Sequence, residues 1–230
     1  MGKKVALCLS GQARFVEEGY NDVINPRLIK DNDVDVFIHT WDINEEQEGK
    51  PFVNAGGHNM GQAVDNSTIN TYLDLYKPKK YIVEKQIEFP FGQWSDRAFP
   101  NIRSDYGYSM LYSVYTANKL RQLYERENNI KYDLVIRCRT DFIMMEEIHL
   151  NNLETDRIYL PTGCPHIGGV ADSFAIGPPE YMDIYCDLYF YIKEIMETTD
   201  IPLCWELLLY HHIAQNKIPV EISIPHKLFR

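Results

Sequence analysis

The run from Tyr132 to Met145, YDLVIRCRTDFIMM, restricts what this chain can fold into more than any other stretch. Leu134, Val135 and Ile136 form an apolar run with the β-branched character of a buried strand. The chemistry then switches abruptly to Arg137, Cys138, Arg139, Thr140 and Asp141. In open α/β sheets ligands gather in the crevice beyond the carboxyl ends of the strands, and the two arginines and the carboxylate fall where a strand would be leaving the sheet. Unpaired charge is costly to bury. The cluster is therefore expected either to face a ligand or metal, or to close a loop as an internal Arg–Asp pair.

The chain before this run repeats the same grammar. Val5 to Leu9 read as a buried strand that ends in Ser10-Gly11-Gln12-Ala13-Arg14, a turn whose single glycine lets the backbone approach a ligand closely. Phe15 to Ile29 are expected to be helical in pieces, broken near Pro26. Val34 to Ile38 make a second strand that runs into His39, Thr40 and Trp41. Asn44 to Asp65, polar and glycine-rich, are expected to form a long loop. A short helix follows, capped at Asn66 or Ser67, with Ile69, Tyr72, Leu73 and Tyr76 on its apolar face; Lys80 to Glu84 read as a third strand. Gln86 to Tyr106 are irregular and aromatic, suited either to wall a pocket or to cover a sheet edge. From Tyr108 to Asn128 the residues Leu111, Val114, Ala117, Leu120 and Tyr124 recur at helical spacing, with Ser113, Thr116, Lys119 and Arg126 on the opposite side. Strands alternating with helices predict βα units and a largely parallel sheet.

After Asp141 the pattern changes. Asp156 to Leu160 and Val170 to Ile176 are short strands without a helix between them, which predicts added antiparallel strands. Pro178-Pro179 open a helix with Tyr181, Ile184, Tyr185, Leu188, Ile192 and Ile195 as its apolar positions. Pro202 opens another, apolar on nearly all sides, and Pro219 to Ile224 form a last strand followed by Pro225, His226 and Lys227.

Composition narrows the function classes. A net charge of −10 leaves no basic excess with which to neutralise nucleic-acid phosphates. The cysteines Cys8, Cys138, Cys164, Cys186 and Cys204 are odd in number, widely spaced and without a CxxC pair, which fits a reducing, cytoplasmic compartment. The apolar run after Lys3 and Lys4 is too short for a signal peptide, no segment approaches the length of a membrane span, and Ala6 stands where a lipidation signal needs Ser or Thr.

Taken together, KKVALCLSGQARF, DVFIHTW, the helix leading into YDLVIRCRTDF, the ADSFAIGPPEY block and the final helix and strand resemble nucleotide-sugar glycosyltransferases of the GT-A type. The resemblance is to small members from bacterial surface-polysaccharide loci and large DNA viruses, and for a viral protein the compartment would be the host cytoplasm. It covers most of the chain, and it lies in the order and spacing of these blocks. It implies a single GT-A-like domain over residues 1–230, a mostly parallel mixed sheet flanked by helices, with 1–141 as nucleotide-binding half and 142–230 as acceptor-binding half. It further implies transfer from a nucleotide-diphosphate sugar to a glycan or glycoprotein acceptor.

By position, the resemblance implicates Ser10, Gly11, Gln12 and Arg14 in holding the nucleotide, with His39, Thr40 and Trp41 nearby. Arg139-Thr140-Asp141 stand where the family carries its metal-binding DxD, so only the second carboxylate remains. Asp141 and His226 could still hold Mn²⁺ or Mg²⁺ together with water and the diphosphate. Alternatively Arg137 or Arg139 neutralises the diphosphate directly, both leaving the strand on one face. Asp172 and Glu206, the latter an acid within an apolar helix, are the candidates to accept the proton of the acceptor hydroxyl. Each has a plain ion-pair reading beside it. His211 and His212 read as core-edge residues. The alternative to an enzyme is a non-catalytic carbohydrate- or protein-binding module with a decayed site.

Overall fold

A computed structural model describes residues 2–42, 51–53, 59–63, 66–89, 92–98, 104–164 and 168–229. The chain begins with strand β1 (Lys4–Ser10), followed by a single turn of helix α1 (Val16–Glu18) that runs into a π-helical segment, Gly19–Ile29. The expected break at Pro26 does not occur. Proline crowds the preceding turn of an α-helix and lacks an N–H, and here the backbone takes the wider i→i+5 register, closed by Lys30 N–H on the Asn25 carbonyl at 2.9 Å. Strand β2 (Asp33–Trp41) follows. Within the stretch read as one long loop, β3 (Pro51–Val53) and β4 (Asn59–Ala63) pair antiparallel; most of the remainder of that stretch lies outside the described residues.

Helix α2 (Asn66–Tyr76) and strand β5 (Lys80–Glu84) match the reading from sequence, and a 3₁₀ turn, Gly92–Arg97, precedes the long helix α3 (Ser104–Asn128). Strand β6 (Leu134–Cys138) holds the apolar half of the opening run. Arg137 and Cys138 of its charged half close β6, and Arg139, Thr140 and Asp141 lie between β6 and the short strand β7 (Phe142–Met144). Strands β8 (Ile158–Pro161) and β9 (Phe174–Gly177) come next. The helix expected after Pro178 is two helices, α4 (Pro179–Cys186) and α5 (Leu188–Thr198). They part at Asp187, whose N–H is shared between the carbonyls of Asp183 and Ile184, tightening the last turn of α4. Helix α6 (Trp205–Gln215), β10 (Val220–Ile224) and β11 (His226–Leu228) complete the fold.

Seven strands form one sheet in the order β10-β8-β9-β6-β1-β2-β5. The pairs β1–β2, β1–β6, β2–β5 and β8–β10 are parallel, whereas β9 is antiparallel to both of its neighbours. Among the described strands of this sheet β9 is therefore the one reversed, and the expected mixed α/β architecture holds. The alternation along β1 sets the layers. Val5, Leu7 and Leu9 face a core shared with the π-helical segment, α2 and β7, while Ala6 and Cys8 face one shared with α3, α4, α5 and α6. Ala6, Cys8 and Ala175 are small, which lets the helices lie close to the strands. Each fully buried Leu, Ile or Phe in these layers contributes about 1.5–3 kcal/mol relative to exposure.

Because β1, β2, β5 and β6 run the same way, Ser10, Trp41, Glu84 and Cys138 end at one edge of the sheet. Reversal of β9 brings Asp172 and Ser173, which precede it, to that same edge. A second antiparallel pair, β7 with β11, places His226 opposite Met144 and Leu228 opposite Phe142. The sequence reading ended the last strand at Ile224 and missed this pairing.

Candidate functional site

The turn after β1 is fixed by backbone geometry. Gly11 has φ +106°, a conformation open to glycine and strained for other residues, and Phe15 is left-handed at φ 48°. The Gly11 N–H donates to the His39 carbonyl at 3.2 Å and to Ser113 Oγ at 2.7 Å. Ser113 Oγ in turn lies 2.7 Å from His39 Nδ1, and His39 Nε2 lies 2.7 Å from Glu84 Oε1. One neutral tautomer satisfies this chain: Nε2–H donates to the carboxylate, and Nδ1 accepts from the hydroxyl that itself accepts from Gly11. A serine, a histidine and an acid in line resemble a nucleophilic triad, but Ser113 and His39 are 0 % exposed, and the serine faces backbone. The chain is a brace for the Gly11 turn. Ser113 does not lie on a polar outer face of α3, as its spacing had implied; its hydroxyl is buried because it closes this brace.

Burial holds the His39 imidazole below its ordinary pKa, with Glu84 opposing the shift, and burial does the same to His212, whose Nε2–H donates to the Ile184 carbonyl at 2.9 Å. Both histidines are thus neutral in the native state and free to take up a proton when unfolded. The unfolded chain binds more protons below about pH 6.5, so stability is expected to fall as pH drops through that value. Denaturant unfolding at pH 7.5 and 5.5 reads the loss, and an NMR titration of His39 with a midpoint at or above the ordinary value would contradict it.

Trp41 stacks on Tyr112 with centroids 5.7 Å apart, and Phe89 packs against Trp41, Tyr108, Tyr112 and Tyr189. Phe89 thus covers the sheet edge beside β2, one of the two roles open to the aromatic segment; the side chains of Phe91, Phe99 and Tyr106 lie outside the described residues. Thr40 is buried, and its Oγ1 has no hydrogen-bond partner among the described residues.

The charged half of the opening run forms the second cluster. Asp141 is 1 % exposed, and both of its oxygens are engaged. Arg139 Nε donates to Oδ1 at 2.8 Å and Nη2 to Oδ2 at 2.6 Å, while Arg14 Nη2 reaches Oδ2 at 3.2 Å. Burial works against the Asp141 charge, but Arg139 and Arg14 outweigh it and hold the carboxyl below the ordinary range. Arg137 is buried with Cys8 and Ala175 on the α4 side of the sheet. Its Nη1 donates to the Asp172 carbonyl, whereas Nε and Nη2 have no partner among the described residues. The two arginines of the run therefore do not act as a matched pair on one face. Arg139 lies past the end of the strand and turns to Asp141.

Gly19 makes this arrangement possible from below, because a Cβ at that position would overlap the Thr140 carbonyl oxygen. The C-terminal residues close it from the side: Phe229 N–H donates to the Asp141 carbonyl at 2.9 Å, and its ring stacks on Phe15 at 5.6 Å. His226 stacks on Phe142 at 5.2 Å. Burial first, then the Arg139 charge, holds its imidazole low, against the pull of Asp172. Asp172 also raises Arg139 electrostatically, so Asp172, Arg139 and His226 share one neighbourhood.

Glu206 lies within α6 as expected, in its first turn, because the helix starts at Trp205. A carboxylate there is favoured by the helix N-terminus, and it accepts from Cys204 Sγ–H at 3.2 Å. Val170 N–H donates to the Glu206 carbonyl at 3.2 Å and Arg139 N–H to the Ser173 carbonyl at 3.3 Å. One short segment, 170–173, thus links the Glu206 turn to the arginine cluster, with Asp172 between them. Gln12 contributes its carbonyl to the Arg14 N–H at 2.9 Å, and Ser10 Oγ is buried without a partner among the described residues.

The residues do not fit the divalent cation that the resemblance implied. Asp141 would have to release two arginines to ligate one. No described helix is long and apolar enough to cross a membrane. Sequence reasoning missed the part that Ser113 and Glu84 play in the brace, and it missed Arg14 as the partner of Asp141.

No protein-family model matches the chain, and no curated protein matches it. Among solved structures it is similar to the apo-form glycosyltransferase GlyE of Streptococcus pneumoniae TIGR4, at 10 % sequence identity and a TM-score of 0.49. The alignment covers 96 % of this chain and 45 % of that one, so the chain spans less than half the length of that protein.

Proposed function

We propose that the protein is a glycosyltransferase that binds a nucleotide-diphosphate sugar at the carboxyl ends of β1 and β6 and passes the sugar to a glycan or glycoprotein acceptor. The observation that carries this reading is the pairing of Arg14 and Arg139 with Asp141, with Arg137 nearby on β6, at the carboxyl edge of a mostly parallel sheet. Glycosyl transfer breaks the bond between the anomeric carbon and a phosphate oxygen, and the negative charge that develops on the leaving diphosphate calls for preorganised positive groups. The Gly11 turn, braced by His39 and Ser113, supports the nucleotide side of the site. Asp172, half-buried on the segment that joins the cluster to the Glu206 turn, is the first candidate to accept the proton of the attacking hydroxyl, with Glu206, on α6 and bonded to that segment through Val170 N–H, the second.

One further reading draws on a specific observation. Asp141 is fully engaged by arginines, which also suits a carbohydrate-binding module whose catalytic site has been lost. A hydrolysis and thermal-shift screen over UDP- and GDP-sugars, with and without Mn²⁺, separates the two. The enzyme reading expects a raised Tm and slow release of sugar with at least one donor. No shift and no hydrolysis across the panel would sink it, and glycan binding without turnover would select the module.

A further inference from the structure

A chain of net charge −10 keeps three guanidiniums at one end of its central strands, and the way Asp141 holds two of them determines how they can be used. Both Asp141 oxygens are occupied and the residue itself is buried, so the carboxylate serves as a brace between two cations. Arg139 uses Nε and Nη2 for this contact, which leaves Nη1 of its fork outside the pair, and its side chain keeps 21 % of its surface exposed. The Arg14 side chain keeps 15 %. Behind them Arg137, 1 % exposed, has two nitrogens without a hydrogen-bond partner among the described residues, so its charge is left incompletely compensated. Burial, followed by repulsion from Arg139, pushes the Arg14 pKa down to about 10, with Asp141 opposing; an anion bound between the two arginines would relieve that repulsion.

We infer that Arg14 and Arg139, set in place by the Asp141 carboxylate, form a two-arginine clamp that grips a diphosphate directly and takes the part a divalent cation would otherwise play. Guanidinium forks match phosphate oxygens in pairs, and a buried charge-assisted contact of this kind needs no metal bridge. Asp141 is then a positioning residue for the clamp. The identity of the diphosphate as part of a sugar nucleotide rests on the glycosyl-transfer reading; the clamp itself does not.

The test is calorimetric binding of inorganic pyrophosphate, UDP and GDP to the full chain, once in EDTA and once in Mn²⁺. The clamp expects pyrophosphate to bind in EDTA, with affinity that Mn²⁺ leaves within about threefold and that weakens as salt rises. Arg139→Lys and Arg14→Lys keep the charge but lose the fork, and each is expected to weaken pyrophosphate binding by about tenfold or more, read on protein whose far- and near-UV circular dichroism is unchanged. Binding that vanishes in EDTA and returns with Mn²⁺ would overturn the clamp, even where a variant is too unstable to assay. So would wild-type affinity in both lysine variants. If pyrophosphate binds without metal but no nucleotide or nucleotide sugar does, the clamp stands and the sugar-nucleotide reading fails. If sugar nucleotides bind only with metal, the reverse holds.

Discussion

Replacing Asp141 with alanine is expected to cost about 3–5 kcal/mol of folding stability, the usual penalty for removing one partner from a buried ion pair and leaving charge uncompensated. Here the loss falls on two guanidiniums at once, since Arg139 loses both bonds of its fork and Arg14 its contact at 3.2 Å. Arg139→Ala should cost less, because Asp141 keeps Arg14. The measurement is denaturant unfolding of wild type, both single variants and the double variant, with the coupling taken from the cycle. A coupling near zero would mean that the pair is no stronger than a surface salt bridge. Acid gives the same information without mutation. Asp141 has a native pKa below its unfolded value of roughly 3.9, so its contribution is complete above that value and is lost as pH falls through the lower, native one. This acid limb lies well below the histidine-driven loss that begins near pH 6.5, so the two should appear as separate steps.

Gly19→Ala should produce the second large effect, and its sign is the informative part. Gly19 lies in right-handed helical conformation, with φ −59° and ψ −41°, and in such a place alanine ordinarily stabilises by roughly 1 kcal/mol. The added Cβ, however, would overlap the Thr140 carbonyl oxygen, a backbone atom that cannot rotate out of the way. A net loss of about 1–3 kcal/mol is expected from overpacking, and Thr140 should shift together with its neighbour Asp141. Pyrophosphate binding should weaken along with stability. A stabilised variant with unchanged binding would show that the segment can move away from the strand end without disturbing the cluster.

The fold was legible where one local signal was enough. The apolar β-branched runs in β1, β2, β5 and β6, and the helical spacing of Leu111, Val114, Ala117 and Leu120, needed no tertiary information. What the sequence could not show was decided by partners far along the chain. Strand β7 is three residues long and exists because β11 pairs with it from the other end of the molecule. Ser113 reads as a polar surface position in any helical projection, and only the Gly11 N–H and the His39 ring reveal that it is buried. Likewise Asp141 reads from sequence either as a ligand for metal or sugar or as one half of an internal Arg–Asp pair, and the pair with Arg139 is present. Its other partner, Arg14, lies in a turn shaped by one left-handed glycine and one left-handed phenylalanine. Sequence gave no sign of that turn's direction. Helix α6 shows the converse: Pro202 marked its start to within a few residues, and Glu206 falls in its first turn, where a carboxylate needs no ligand to be comfortable.

The pairing of β6 with β1 also governs when the cluster can exist. Leu7 lies opposite Ile136, and Arg14 meets Asp141, across more than about a hundred residues of intervening chain, a span whose closure is slow to nucleate. At ribosomal rates of about 5–20 residues per second, Arg14 waits roughly 6–25 seconds before its carboxylate is even synthesised. Phe229, which also closes the cluster, follows Asp141 by a further stretch of chain. A diphosphate held by the proposed clamp would therefore act as a check that both Arg14 and Asp141 have arrived.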